Sequence, residues 1–368
     1  MQICYDYQIF AAQKYGGISR YILEVASRIH QYQGARVRVI APLYRSEFLD
    51  EKRGRLPVSG AHFTANFPKA IGFCMKAGKL FNSAIAGFYR PDIVHETYYS
   101  RDKTLRSASR TVVTVHDATA ELFPQPASLR SGPIALRQAV FDRADHLICV
   151  SRNTQADLVR IYNVDQAKTS VIPLASSIVP SSQPPISLSE PFFLYVGSRW
   201  GYKNFLGLVR AYRDSGLYKS HKLICFGGDE VLTREELSTL NELGIPLDRC
   251  EVIPGNDDLL SRYYAGAVAM VYPSRYEGFG IPLLEAMECS CPVLCSNSSS
   301  LPEVAEDAAI YFDPNEPSSM ADAMLKIANS SDERTRLIQK GRERIRQFSW
   351  DKCALETYAV YERLLSGK

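Results

Sequence analysis

The sequence predicts an α/β protein of two doubly wound domains, each a parallel sheet wrapped by helices. Three observations carry that prediction. Short β-branched runs alternate with amphipathic stretches along all 368 residues, the pattern of repeated strand–helix units. The strand-like runs are apolar at every position rather than at every second one, as strands covered on both faces are. A Ser- and Pro-rich segment, SSIVPSSQPPISLSEP at 176–191, separates two such series, and the length suits two domains of about 150 to 200 residues.

The strands of the first half are expected at 37–41 (VRVIA), 92–96 (DIVHE), 111–116 (TVVTVH) and 146–151 (HLICVS). Helical spacing occupies 17–32 and 151–162. Residues 176–191 can hold no helix and read as the interdomain linker. The second half supplies strands at 192–198, 222–228, 250–255, 268–274, 291–296 and 308–314, with helical patterns at 204–216 and 316–331. The closing stretch 348–365 is one amphipathic helix, free to pack on either half. The expected division is therefore 1–175, linker 176–191, and 192–348, with 349–368 open to join the first domain.

Composition narrows the function classes. Hydrophobic residues at 46% and charged residues at 23% are an ordinary globular balance, and a net charge of +3 is too mild to imply nucleic-acid binding. The nine cysteines are scattered through apolar runs, which reads as reduced core thiols of a cytosolic protein. Cys289, Cys291 and Cys295 have no histidine nearby and match no zinc spacing, so they read as core. The N-terminus, MQICYDYQIF, lacks the basic head and apolar stretch of a signal peptide, and no run of 18 apolar residues suggests a membrane span. One shift stands out: from Lys52 to Arg90 there are basic residues at 52, 53, 55, 69, 76, 79 and 90 and no acidic ones. Within it Phe73, Ala77, Leu80, Phe81, Ala84, Ile85 and Phe88 recur at helical spacing. That is either a core-facing helix with solvated lysines or an interfacial helix against anionic lipid.

Open parallel sheets bind ligands at the carboxyl ends of their strands, and four strand-end turns carry unusual polarity. In KYGGISRY (14–21), Gly16 and Gly17 precede a helix whose N-terminus offers free N–H groups and partial positive charge. They could seat a diphosphate or simply form a flexible loop. In TVHDATAE (114–121), His116 and Asp117 end a strand. The histidine could meet a sugar hydroxyl, with the aspartate orienting it, or the pair could be a buried His beside a capping Asp. In YVGSRWGYKN (195–204), Arg199 and Lys203 lie among glycines as a phosphate clamp or as two solvated cations. In YPSRYEGFGIPLLEAM (272–287), Glu277 stands on the turn, Gly278 and Gly280 leave the backbone bare, Pro282 suits the first helical turn and Glu285 follows about one turn in. Carboxylates accept hydrogen bonds and suit pairs of sugar or ribose hydroxyls.

EGFGIPLLE (277–285) resembles the E-x7-E signature of glycosyltransferase family 4, retaining enzymes with the GT-B fold of two Rossmann-like domains facing across a cleft. The early glycines, the His-Asp strand end, VSRNTQADL (150–158), the Arg/Lys turn and E-x7-E follow in the family's order over essentially the whole chain. The resemblance implies roles by position. Glu277 binds hydroxyls of the donor sugar, Glu285 binds the nucleotide ribose, and the backbone around Gly278, Phe279, Gly280 and Ile281 holds sugar and phosphates. Arg199 and Lys203 neutralise the diphosphate, Gly16 and Gly17 lie against it, and His116 contacts the transferred sugar. The chain departs from the family at one point: Ser198 holds the place after the strand-end glycine where Arg is common, and Arg199 follows.

The implied chemistry is retention without a placed protein nucleophile, the leaving phosphate taking the acceptor's proton. No metal is expected, since no Asp-x-Asp pair occurs, and no cofactor beyond the nucleotide-sugar substrate, with GDP-mannose the leading choice and UDP- or dTDP-hexoses open. YDYQIFAAQKYGGISRY and LYVGSRWGYKNF look most like bacterial mannosyltransferase-like enzymes of O-antigen, capsule or exopolysaccharide synthesis, acting on a lipid-linked oligosaccharide in the cytoplasm, with residues 52–90 against the inner face of the membrane. A sugar-nucleotide 2-epimerase of the same architecture and a sugar-binding module without chemistry are the rival readings.

Overall fold

A strand apolar on both faces is stable only in the middle of a three-layer sandwich, and the chain builds two of them. The computed structural model describes residues 1–65, 67–105, 108–124, 134–228 and 231–367, without the side chains of 83 and 86. It divides into Met1–Leu174 with Trp350–Lys368, and Ala175–Ser349.

The first unit holds β1 (Gln2–Tyr5), β2 (Arg36–Tyr44), β3 (Val58–His62), β4 (Ile93–Glu96), β5 (Arg110–Val115), β6 (His146–Cys149) and β7 (Thr169–Val171), in sheet order 3-2-1-4-5-6-7. The second holds β8 (Phe192–Val196), β9 (Lys222–Phe226), β10 (Cys250–Ile253), β11 (Ala269–Tyr272), β12 (Val293–Ser296) and β13 (Ala309–Phe312), in order 10-9-8-11-12-13. The strand pairs are parallel. Strand order reverses direction between β1 and β4 and again between β8 and β11, and those switch points are where the carboxyl ends open a crevice.

Three strands, β1, β3 and β7, have no clear signal in the sequence. β1 is four residues long, and β3 and β7 are only partly buried, at the two edges of the sheet, where continuous apolarity is not required. A helix at Ser331–Ile345 is also unforeseen. Only Leu337, Gly341 and Arg344 are buried in it, so its apolar stripe is too thin to read. The Ser/Pro segment carries no helix or strand. It lies against the second unit, where Ile186 N–H donates to Arg262 O at 3.0 Å and Arg262 Nε donates to Pro184 O at 2.9 Å.

The closing helix, Trp350–Ser366, packs on the first unit beside the helix Gly17–Ile29. Its Tyr361 enters a buried polar chain. The Tyr361 hydroxyl lies 3.1 Å from that of Tyr5 and 2.6 Å from His95 Nδ1. His95 Nε2 lies 2.8 Å from Thr114 Oγ1, which lies 2.9 Å from the Tyr21 hydroxyl. Burial pushes the His95 pKa down to about 3, so the ring is neutral and one nitrogen donates while the other accepts.

The helix Ala70–Gly87 corrects the core-facing reading of 52–90. Its buried face is made of Ala70, Cys74, Gly78 and Asn82, and a Cβ at Gly78 would stand 2.1 Å from the Tyr7 ring. The large apolar side chains stand outward instead: Phe73 is 49% exposed, Leu80 71%, Phe81 52% and, just beyond the helix, Phe88 88%. A stripe of small residues seats this helix, so burial is not what its phenylalanines serve. Among the described residues no helix is long and apolar enough to cross a membrane.

Replacing Tyr361 by Phe keeps the ring and leaves His95 Nδ1 and the Tyr5 hydroxyl without this partner in a dry site. Denaturant titration is expected to show a loss of about 1–3 kcal/mol relative to wild type. An unchanged midpoint would mean that the chain contributes nothing net.

Candidate functional site

The switch point of the second sheet is built from the turns after β8 and β11. After β8 the backbone turns at Gly197 (φ 115°), makes one 3-10 turn at Gly201–Lys203 and passes through Asn204 in the left-handed region (φ 58°) into the helix Phe205–Asp214. Asn204 tolerates that conformation and uses its amide, donating to Pro273 O at 3.2 Å and Pro314 O at 2.8 Å. Arg275 N–H donates to Tyr202 O at 2.8 Å. These bonds stitch the two turns together and bring the Lys203 ammonium to Glu277: Nζ donates to Oε1 at 2.7 Å and to the Tyr272 hydroxyl at 3.2 Å. The two side chains are only 15% and 11% exposed. Burial alone would depress the Lys203 pKa, but Glu277 with Tyr272 and Tyr202 outweighs it and holds the group well above the usual lysine range. The cation is thus permanently charged, near the bare backbone of Gly278–Gly280.

Gly280 stands at the N-cap of the helix Ile281–Glu288 with φ 102°, and Pro282 follows inside the first turn. A Cβ at position 280 would meet Leu301 Cδ2 at 2.7 Å, so glycine is demanded twice, by conformation and by space. The first N–H groups of a helix have no intrahelical acceptor, and this end carries partial positive charge. Phe279 is buried with its ring edge-on to Phe348 at 6.0 Å. Glu285, half-buried on the helix, accepts from the Tyr264 hydroxyl at 3.1 Å. Cation, acid and helix end therefore belong to one piece of structure.

Arg199 does not join them, which corrects the expected clamp. Its side chain is 2% exposed. Nε donates to Glu236 Oε1 at 3.0 Å and Nη2 to Val231 O at 2.7 Å. Glu236 also accepts from Thr233 N–H at 2.7 Å, closing the capping box of the helix Arg234–Glu242. The guanidinium fork is filled inside its own domain, holding the turn rather than offering itself to an anion. A one-residue displacement from the family's usual Arg position accompanies this different fate.

In the first unit, Gly16 and Gly17 lead into the helix Gly17–Ile29. A Cβ on Gly16 would collide with Gln13 Oε1 at 2.3 Å, whereas one on Gly17 would meet nothing within 4 Å. Gly17 is exposed, so the helix start is open on that side. His116 follows β5, its ring edge-on to Tyr21 at 5.4 Å. Burial pushes its pKa down to about 4; Asp117 opposes the fall and Arg137 adds to it. At neutral pH it is an uncharged imidazole that can donate one hydrogen bond and accept another. Asp117 does not hold that ring. Its carboxylate accepts from Thr119 N–H at 3.1 Å and lies 3.6 Å from the buried Arg137. The ring packed edge-on against His116 is that of Tyr21, which the sequence does not mark. Tyr272, Asn204, Ser299 and Ser300 were also missed, although SNSSS (296–300) after a strand is a polar cluster that could have flagged the last two.

A model of the glycosyl transferases group 1 matches residues 181–344, and one of glycosyltransferase family 4 matches residues 15–175. The O-antigen chain mannosyltransferase B of Escherichia coli is 31% identical over 281 residues, 69% of this chain and 71% of that one. The MMP alpha-(1->4)-mannosyltransferase of Mycolicibacterium hassiacum is 27% identical over 83% of this chain and 77% of its own. Among solved structures, sucrose-phosphate synthase from Thermosynechococcus elongatus superposes with TM-score 0.78 at 19% identity, covering 100% of this chain and 99% of that one. Anabaena HepE in complex with UDP-glucose gives 0.73 at 18%, covering 100% of each. These likenesses, with two parallel sheets whose carboxyl edges carry the polar turns, define a GT-B glycosyltransferase. The chain belongs to the group 1 and family 4 glycosyltransferases, and its relatives include O-antigen mannosyltransferases.

If Arg199 is structural, Arg199→Met leaves Glu236 buried and unpaired. Unfolding free energy is expected to fall by about 3–5 kcal/mol, and adding Glu236→Gln should recover much of it. A single variant as stable as wild type would return Arg199 to the list of free cations.

Proposed function

We propose that this protein is a retaining hexosyltransferase that moves mannose from GDP-mannose to a lipid-linked oligosaccharide in the synthesis of O-antigen, capsule or exopolysaccharide. The observation that carries the reading is the Lys203–Glu277 pair at the switch point, beside a helix start kept bare by glycine. A nucleoside diphosphate brings more negative charge than one carboxylate. On this reading its phosphates draw Lys203 from Glu277 and lie against the positive end of the helix Ile281–Glu288. Glu277, released from its cation, accepts hydroxyls of the hexose, and Glu285 accepts those of the ribose. The fixed cation and helix dipole then favour charge that builds on the departing diphosphate.

By the family resemblance, the Gly16–Gly17 turn is assigned to the diphosphate and His116 to the transferred sugar. A neutral His116 hydrogen-bonds a hydroxyl without adding charge that would oppose a cationic, oxocarbenium-like sugar. The proton of the acceptor hydroxyl passes to the leaving phosphate on the same face, so no protein nucleophile is needed. Mannose as the sugar is supported by the relatives being mannosyltransferases, and a lipid-linked acceptor rests on the family resemblance. GDP as the base rests on the resemblance, with UDP and dTDP as the other candidates. The outward phenylalanines and leucine of Ala70–Phe88, among Lys69, Lys76 and Lys79, suit peripheral contact with an anionic membrane where such an acceptor would reside.

Calorimetric titration with GDP, UDP, dTDP and their hexoses is expected to give binding to the GDP series, weakened roughly 10- to 100-fold by Lys203→Ala. Preference for UDP or dTDP would replace the donor, and no binding to any would end the reading. With an acceptor glycan, release of nucleoside diphosphate should depend on that acceptor and vanish in His116→Ala and Glu277→Ala. Release or epimer formation without acceptor would favour a 2-epimerase, and binding without turnover a sugar-binding module. Co-sedimentation is expected with vesicles containing anionic phospholipid, weakened by salt and lost in Phe73→Ser/Leu80→Ser. Equal partition with neutral vesicles would remove the anionic lipid from the scheme, and no sedimentation with either would remove the membrane.

A further inference from the structure

β11 and β12 are neighbours, so the turn that follows each lies beside the other. The turn after β12, residues 298–301, touches the turn after β11 at four successive points. Ser298 Oγ donates to Ser274 O at 3.4 Å. Ser299 Oγ accepts from Glu277 N–H at 2.9 Å. Ser300 Oγ stands 2.9 Å from both Glu277 O and Phe279 O, its one proton shared between them. Leu301 fills the space a Cβ on Gly280 would need. The peptide on each side of Glu277 is therefore held by a serine, while its carboxylate is held by Lys203.

The backbone at Ser299 makes this costly. Its φ is 52°, in the left-handed region that favours glycine. Serine lacks the side-chain carbonyl that eases Asn and Asp there. A glycine would sit without strain but would give Glu277 N–H no acceptor. A strained residue kept where its hydroxyl is used is a sign of function.

We propose that Ser299 and Ser300 are positioning residues for the donor sugar: the turn after β12 is a mould that presets Glu277 and the bare backbone of Gly278–Gly280 before the donor arrives. The inference rests on the reading of Glu277 as a donor contact. Neither serine needs to touch the donor. Each acts by fixing peptides whose free rearrangement would otherwise oppose binding.

The test uses the intact chain and three variants, Ser299→Gly, Ser299→Ala and Ser300→Ala, with Glu277→Gln as the control on the underlying reading. Melting temperature, donor affinity by calorimetry and the kcat and KM for acceptor-dependent release are measured together. Ser299→Gly relieves strain and loses the acceptor, so it should melt no lower than wild type and higher than Ser299→Ala, yet raise KM for the donor roughly tenfold. Ser300→Ala should raise KM similarly, and it carries the test alone if a position-299 variant fails to fold. Wild-type KM in Ser299→Gly and Ser300→Ala, or donor affinity that simply tracks melting temperature across the series, would overturn the proposal. Should Glu277→Gln bind donor like wild type, the reading of Glu277 falls first, whatever the serines do.

Discussion

A parallel sheet places the carboxyl end of each strand at one edge, and this constraint decides everything that follows. In the second domain it sets the turns after β8, β11, β12 and β13 in a row. Asn204 ties the first to the second and fourth, and Ser299 and Ser300 tie the third to the second. Residues 95 positions apart in the chain thus shape one short turn around Glu277. The ion pair of Lys203 and Glu277 is the product of that stitching rather than its cause, because two mostly buried charges stay together only where the backbone already holds them in register.

The same edge explains why polarity is affordable there. Elsewhere the domain interiors are largely apolar, and buried charges there include the pairs of Arg199 with Glu236 and Arg143 with Glu96. These pairs are internal fasteners. Lys203 and Glu277 differ in what surrounds them: a glycine-bearing turn and the positive end of the helix Ile281–Glu288. A pair beside a helix's positive end suits the proposed anion, whereas a pair whose fork is also filled by carbonyls, as that of Arg199 is, acts as a strut.

The first domain uses neutral polarity instead. Tyr5, Tyr361, His95, Thr114 and Tyr21 form a chain of hydrogen bonds in which no member carries charge at neutral pH, and Tyr21 turns its ring to His116. The closing helix, last in sequence, is thereby built into the interior of the domain that comes first. The polar chain also shows why His95 and His116 have different fates. One is sealed between Tyr361 and Thr114, and the other, only partly buried, follows the end of β5.

The sequence by itself determined the class of fold, ten of the thirteen strands among the described residues and the polar turns at strand ends, because uninterrupted apolar runs and glycines at strand ends are local signals. Glu277, Glu285, Lys203, Gly280 and His116 could be picked out for that reason. The tertiary structure decided which charges are free and which are fasteners, since a cation such as Arg199 looks the same in a sequence whether or not Glu236 lies 3.0 Å away. It alone decided that the closing helix belongs to the first domain, that Ala70–Gly87 turns its small residues inward and its phenylalanines outward, and that Ser299 and Ser300 hold Glu277. Those facts depend on partners far apart in the chain, and no pattern of neighbours along a sequence encodes which distant surface a side chain will meet.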